Sequence, residues 1–323
     1  MPGDEFQTAL ADVVRRFRDH AGRRAKASMG LLAETLGPTD WVHGPGDDAA
    51  VVSAGSDGST LAAGEAIWPP FVEADPYGAG TAAVVANVND IAAMGGRSLG
   101  LVDTIVGPEP TARRILEGIT RAALLYRVPV VGGHLAIRDG PPSVSAFVVG
   151  RAERVLASAN AVPGLVLLVA AATRGRMHPG FPFFSSLRER EHSLAGDVDV
   201  LPTIAERGWC RAAKDISMAG TLGSLAMLLE PTRCGVVVDL DSIPRPSDVP
   251  IERWLDVFPS FGFLLCVPDD RVEDCRSVFA ERGLACESVG VLDESGRLRV
   301  RSGAEEAVLL DLTQERVTGL RGA

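Results

Sequence analysis

Apolar residues return at helical spacing through the start of the chain: Phe6, Leu10, Val13, Val14 and Phe17, then Met29, Leu32 and Leu36. This predicts two amphipathic helices over 6–36, broken near Gly22. The pattern then changes. Residues 42–52 form a Gly/Pro turn that delivers Asp47 and Asp48 to an apolar strand, 61–67 is a strand carrying Glu65, and 69–77 is a loop. From 78 to 94 small and apolar residues run almost unbroken, which suits a tightly packed helix stopped by Gly95-Gly96. A strand at 97–106, a helix at 111–126, a strand at 128–135 that breaks at Gly132, Gly133 and His134, and a strand at 143–150 follow.

The second half opens with a buried strand at 165–172. Residues 173–186 have no period and mix Arg174, Arg176 and His178 with Phe181, Phe183 and Phe184. Such a segment lines a site or anchors a loop into a core. A helix begins at 199, and a second one carries Leu222, Leu225 and Leu229, with Asp215 or Ser217 available as its cap. Strands at 234–240 and 261–267, a helix at 271–282 and a closing hairpin of 288–292 with 298–301 complete the reading. The expected organisation is a helical segment over 1–40 and two α+β domains, 41–152 and 153–323.

Asn87 and Asp90 stand three apart on the 78–94 helix, so they share a face. An amide and a carboxylate there are costly to bury unless they cap, pair or bind something. Asp47, Asp48, Glu65 and Asp215 also fall at strand or helix ends. Carboxylates gathered without matching lysines repel one another unless divalent cations sit between them, and hard oxygen ligands favour Mg²⁺, whose usual partner is a phosphate chain. The glycine pairs 95–96 and 132–133 would let backbone N–H groups approach such phosphates.

Composition narrows the class. The net charge of −10 and pI near 5.1 exclude a nucleic-acid or anionic-membrane partner held by bulk electrostatics. Five cysteines without a Cys-x-x-Cys pair predict reduced thiols, and the lack of a signal core or membrane-length apolar run predicts a cytoplasmic protein. Only Lys26 and Lys214 among the 32 basic residues are lysine, and Lys214 directly precedes Asp215.

The segments Gly46-Asp-Asp-Ala-Ala50, Asn87-Val-Asn-Asp-Ile-Ala-Ala-Met-Gly-Gly96, Gly132-Gly-His134, Lys214-Asp-Ile-Ser217 and Phe258-Pro-Ser-Phe-Gly-Phe263 stand in an order that resembles the aminoimidazole ribonucleotide synthetase superfamily. Thiamine-monophosphate kinase, selenide water dikinase and the hydrogenase maturation carbamoyl dehydratase belong to it, and this chain is most similar to a synthetase-related branch. The resemblance implies a two-domain α+β fold: an N-terminal mixed sheet with helices that dimerises, and a C-terminal α+β sandwich. It implies ATP and Mg²⁺ as cofactors, and phosphoryl transfer to, or ATP-driven activation of, a small molecule. Asp47, Asp48, Asp90 and Asp215 match metal ligands, with Glu65 as a stand-in. Gly46, Asn87, Gly95, Gly96, Gly132, Gly133 and Ser217 fall in the nucleotide-binding set, and Lys214 and His134 in the catalytic one. The loop residues Arg174, Arg176, His178 and Phe183 are candidate substrate contacts.

Departures are visible too. Ala63-Gly-Glu65 replaces Thr-Asp-Thr, His134 replaces an aspartate of the thiamine-phosphate enzymes, and Met218 stands where Asp-x-Ser-Asp-Gly has its second acid. His134 is open to three readings: packed, phosphate-holding, or acid/base. A nucleotide-binding partner subunit without turnover is the alternative to an enzyme.

Overall fold

The structure, a computed structural model, describes residues 3–36 and 46–320. The expected 40–41 boundary and the first residues of the 42–52 turn lie outside them, as does the side chain of Phe6. In chain order the elements are α1 (Gly3–Asp19), α2 (Ala21–Lys26), α3 (Gly30–Leu36), β1 (Ala50–Gly55), β2 (Gly58–Ala66), α4 (Pro69–Ala74), α5 (Pro76–Ala93), β3 (Arg97–Gly107), α6 (Glu109–Tyr126), β4 (Val130–Ile137) and β5 (Ser143–Ala152). Then follow β6 (Val166–Ala171), β7 (Arg176–Met177), β8 (Phe183–Ser185), α7 (Leu194–Val198), α8 (Val200–Glu206), β9 (Ala212–Asp215), α9 (Gly220–Leu229) and β10 (Gly235–Asp239). The chain closes with α10 (Ile251–Trp254), β11 (Phe258–Pro259), β12 (Gly262–Val267), α11 (Val272–Ala280), β13 (Ala285–Asp293), β14 (Arg297–Ser302) and β15 (Glu305–Asp311).

These elements form two compact units. One comprises Met1–Asp47, Leu156–Ser186 and Arg207–Ala323; the other comprises Asp48–Val155 and Leu187–Glu206. The N-terminal helices fall in the first unit. Leu10, Val13 and Phe17 of α1 are buried in the same apolar core as Leu298, Val300, Leu309 and Leu310 of β14 and β15. Burying that stripe is what holds α1 in place, since an amphipathic helix gains little stability on its own.

The first unit is built on a seven-stranded sheet ordered β15-β14-β10-β13-β6-β12-β9. Its central strands β6 and β12 are buried at every residue, as a strand covered on both faces must be. The expected closing hairpin does not form. β13 and β14 are not neighbours; β10 lies between them, and β14 pairs with β15 instead. The connection from β13 to β14 crosses the start of β10 at Gly235, where an added Cβ would meet Ser295 Oγ at 2.1 Å. Only a glycine leaves room for that crossing.

The second unit carries a five-stranded sheet ordered β1-β2-β5-β3-β4, antiparallel except for the β3–β4 pair. β5 shows the alternation plainly: Val144, Ala146, Val148 and Ala152 are buried, while Phe147 and Val149 on the other face are exposed. Residues 69–77 contain α4, and the expected loop there shrinks to Asp75, the N-cap of α5. The expected break at Gly132-Gly133 is absent, because β4 runs through both glycines to Ile137. Neither glycine has a positive φ.

Candidate functional site

Helix α5 sets the geometry. Asp75 accepts a hydrogen bond from Gly78 N at 2.9 Å, fixing the helix start, and the helix then buries Asn87, Asn89 and Asp90 along with its alanines and valines. Asn87 Nδ2 donates to Ala83 O (2.8 Å) and to Ala146 O on β5 (3.2 Å), pinning helix to sheet. Its Oδ1 has no hydrogen-bond partner.

One turn on, Asp90 is 5% exposed, and Asp48 stands half-buried before β1. The two bring carboxylate oxygens within 4.8 Å of each other. At an effective dielectric near 20, two full negative charges at such a separation repel by roughly 3 kcal/mol. That repulsion is relieved by a proton or by a cation between them. The donors are all hard oxygens, which suits Mg²⁺.

Asp47 and Glu65 are placed differently. Asp47 Oδ1 accepts from Ser158 N at 2.9 Å, within the first unit. Glu65 sits half-buried on β2, opposite Ala146 in register. Glu65 brings no oxygen within 4.8 Å of both Asp48 and Asp90.

In the first unit Lys214 and Asp215 end β9, each 2% exposed and paired in register with Leu264 and Phe263. Neither Asp215 nor Ser217 caps the following helix, contrary to expectation. α9 starts at Gly220 behind Ala219 with no side-chain cap, and Ser217 N instead donates to Ser224 Oγ at 3.1 Å. Asp215 is therefore a buried acid without a capping role.

The glycines fit less well with phosphate approach. Gly46, with a positive φ of 109°, shapes the turn before Asp47. Gly95 and Gly96 donate their N–H groups to Ala92 O and Ile91 O, closing α5. Gly132 and Gly133 are extended within the edge strand β4, and His134 is exposed there opposite Thr104.

The 173–186 segment supplies β7 and β8 to a small sheet that β11 completes, in the order β11-β8-β7. Arg174 and Arg176 are exposed, and His178 is half-buried against Phe181 with ring centroids 5.2 Å apart. Phe183, an expected substrate contact, is 8% exposed and packs on Phe258 at 5.4 Å; Phe184 meets Trp254 edge-on at 5.1 Å. These two phenylalanines anchor the segment.

Asp103 was not among the expected residues. It is 7% exposed in the middle of β3, and burial raises its carboxyl above the usual range. Its signal was in the sequence: an acid at an inward position of an otherwise apolar strand. The five cysteines are buried free thiols, and burial pushes Cys266 and Cys275 up to about 12, which makes them inert.

Two α+β units, one with paired acids at the end of a buried small-residue helix, define a class. Residues 46–152 match the family model of the AIR synthase related protein N-terminal domain, and 164–303 that of the C-terminal domain. The chain belongs to the AIR synthase related family. It is 34% identical over 281 residues to an uncharacterised protein of Synechocystis sp., covering 86% of this chain and 87% of that one. An uncharacterised protein of Methanocaldococcus jannaschii is 30% identical over 321 residues, covering 96% and 99%. Among solved structures, Thermotoga maritima PurL complexed with ADP superposes with a TM-score of 0.74 at 19% identity; the match takes in 86% of this chain and 47% of that one. AaThiL complexed with AMPPCP and TMP gives 0.65 at 20% identity, covering 87% and 95%. The chain thus spans about half the length of PurL and nearly the whole of AaThiL, and these structures share its fold.

Proposed function

We propose that the protein binds ATP with Mg²⁺ and uses it to phosphorylate, or activate, a small-molecule acceptor. The observation that carries this reading is the Asp48–Asp90 pair, two acids held within 4.8 Å by a turn and a buried helix. The family supports it, since T. maritima PurL and AaThiL are solved with ADP and AMPPCP. Asp48 and Asp90 would hold the cation, with Asp47, Glu65 and Asp215 proposed as further ligands on the family match alone. Bound there, Mg²⁺ would neutralise charge on the phosphate chain. Asn87 keeps α5 seated on β5 so that Asp90 stays in place, while Lys214, His134 and Ser217 remain candidates for contacts to phosphate. Arg174, Arg176 and His178 are proposed acceptor contacts.

The experiment is a calorimetric titration of ATP with and without Mg²⁺, followed by ADP release against a metabolite panel. Binding that needs Mg²⁺, with ADP release stimulated by one acceptor, is the expected result. Binding without turnover against every acceptor would favour a nucleotide-binding subunit, the reading that Met218, exposed where the Asp-x-Ser-Asp-Gly motif has its second acid, supports.

We also propose a homodimer. Val102, Phe147 and Val149 form an exposed apolar row on the outer sheet face of the second unit. Covering it with a second copy predicts a dimer by light scattering at micromolar concentration in low and high salt; a monomer in both would count decisively against it.

A further inference from the structure

Glu230 is a buried acid that the proposed site does not use. It stands at the C-cap of α9, 4% exposed, and its carboxylate is committed to the segment that follows β15. Oε2 accepts from Val317 N at 2.6 Å and from Thr318 N at 3.1 Å. Oε1 accepts from the Thr318 hydroxyl, and Arg316 Nη1 lies 4.0 Å away. Thr318 Oγ1 accepts in turn from Leu320 N at 3.2 Å. Hydrogen bonds to an ionised acceptor are roughly twice as strong as neutral ones, so Glu230 fixes residues 316–320 in place.

That segment supports the turn that carries Asp47. Gly319, with a positive φ of 67°, lies back to back with Gly30 at the start of α3. A Cβ on Gly319 would come within 2.7 Å of Ala27 O, and one on Gly30 within 2.9 Å of Gly319 O. Leu320, 5% exposed, then sets its Cδ1 beside Gly46, 3.7 Å from where a Cβ would stand. Gly46 leads directly into Asp47.

The same run of helices supports the turn after Asp215. Gly220 N donates to Ser217 O at 2.9 Å, closing that turn, and Gly22 of α2 lies so close to it that an added Cβ would overlap Met218 O. His20 Nδ1 caps α2 by accepting from Arg23 N at 3.2 Å, and Arg23 Nε ties α2 to Phe17 O of α1 at 2.8 Å. Backbone meets backbone at Gly22, Gly30 and Gly319, where a side chain would push one of the partners away.

We propose that α2, α3 and residues 316–320, locked by Glu230, form a brace that fixes the turns carrying Asp47 and Asp215. Gly22, Glu230 and Leu320 are then positioning residues for the cation. The cation rests on the Mg-ATP reading above, whereas the brace rests on contacts within the first unit.

The test uses the full-length protein without nucleotide. Mn²⁺ stands in for Mg²⁺, its binding read by water-proton relaxation, and hydrogen exchange is read at the amides of residues 46–47 and 216–218. Leu320→Ala and Glu230→Gln should speed exchange at 46–47, and Gly22→Ala at 216–218. Each should weaken Mn²⁺ about tenfold, the low end of the loss seen when a group behind a metal ligand is changed. Leu320→Met keeps the contact with Gly46 and should stay within about twofold of the parent. Phe279→Leu, which loosens α11 against Phe261, separates position from stability: it should lower the melting temperature and change neither reading. The proposal is overturned if Leu320→Ala and Gly22→Ala melt lower yet bind Mn²⁺ within about twofold of the parent. Unchanged exchange at those amides, or an equal loss of Mn²⁺ in Phe279→Leu, overturns it as well. If the parent protein binds no Mn²⁺, the metal reading fails instead, and the exchange pattern alone decides the brace.

Discussion

Helix α5 and the segment 173–186 both mix polar with apolar residues, and the fold treats them in opposite ways. In 173–186 the phenylalanines go inside and the arginines stay in water: Phe183 and Phe184 are buried, Arg174 and Arg176 exposed. That is the ordinary partition of an amphipathic surface element. In α5 the polar groups go inside as well, with Asn87, Asn89 and Asp90 buried beside Val84, Val85 and Ile91. Nothing in hydrophobic burial favours that arrangement, and a buried carboxylate near another acid works against it. The comparison teaches where to look for chemistry: at polar residues whose burial the fold alone does not reward.

The largest effect should come from the ordinary partition. Phe183→Ala empties a packed position against Phe258, and truncations of this kind cost about 3–5 kcal/mol. Chemical denaturation should show that loss. Arg176→Ala, on the exposed side of the same small sheet, should stay within about 0.5 kcal/mol of the parent while lowering acceptor use. If Phe183→Ala is as stable as the parent yet loses acceptor use, the phenylalanine belongs to the site after all.

Next is the other side of the comparison. Asp90→Asn keeps shape and hydrogen-bonding capacity but removes one of two mutually repelling charges. Changes one step removed from a metal already cost about 10–100-fold, so Mg-ATP binding should weaken by at least that much. The melting temperature of the metal-free protein should hold or rise. A mutant that melts lower and binds Mg-ATP like the parent would make Asp90 a structural acid.

The same contrast explains what was legible in the sequence. Long stretches were readable: β3, α6 and β5 because each buries one continuous face, and α5 because its run of small and apolar residues is buried all round; all four fall within a few residues of expectation. The Asn87–Asp90 spacing and the Gly-Asp-Asp turn pointed to the acidic pair because buried polar residues break the period visibly. Pairing was not readable. Nothing local distinguishes a β13–β14 hairpin from a crossing over β10, since the decision rests on space at Gly235, distant in sequence. The Gly132-Gly133 pair misled about the strand for a related reason: a glycine can break a strand or merely leave a neighbour room, and Gly133 stays extended in β4 beside Asp103.

The smallest predicted effect concerns Asp103 and its pH dependence. Burial raises its carboxyl above the usual value, so the folded protein binds this proton more tightly than the unfolded chain does. With that sign, the stability linked to protonation is fully present below the unfolded carboxyl range and is lost as pH rises through the folded value. Burial alone sets this direction. Glu65, one strand beyond Ala146 on the same face, is itself an acid, and His134, next to Gly133, lies on the opposite face and is exposed. Asp103→Asn should therefore melt slightly higher than the parent at pH 7, and the gap should close as pH falls through the carboxyl range. Thermal unfolding of both proteins from neutral pH to about pH 4 measures it. A mutant less stable than the parent at pH 7 would mean that the ionised carboxylate is already satisfied within the fold. Asp103 would then join the ordinary side of the comparison.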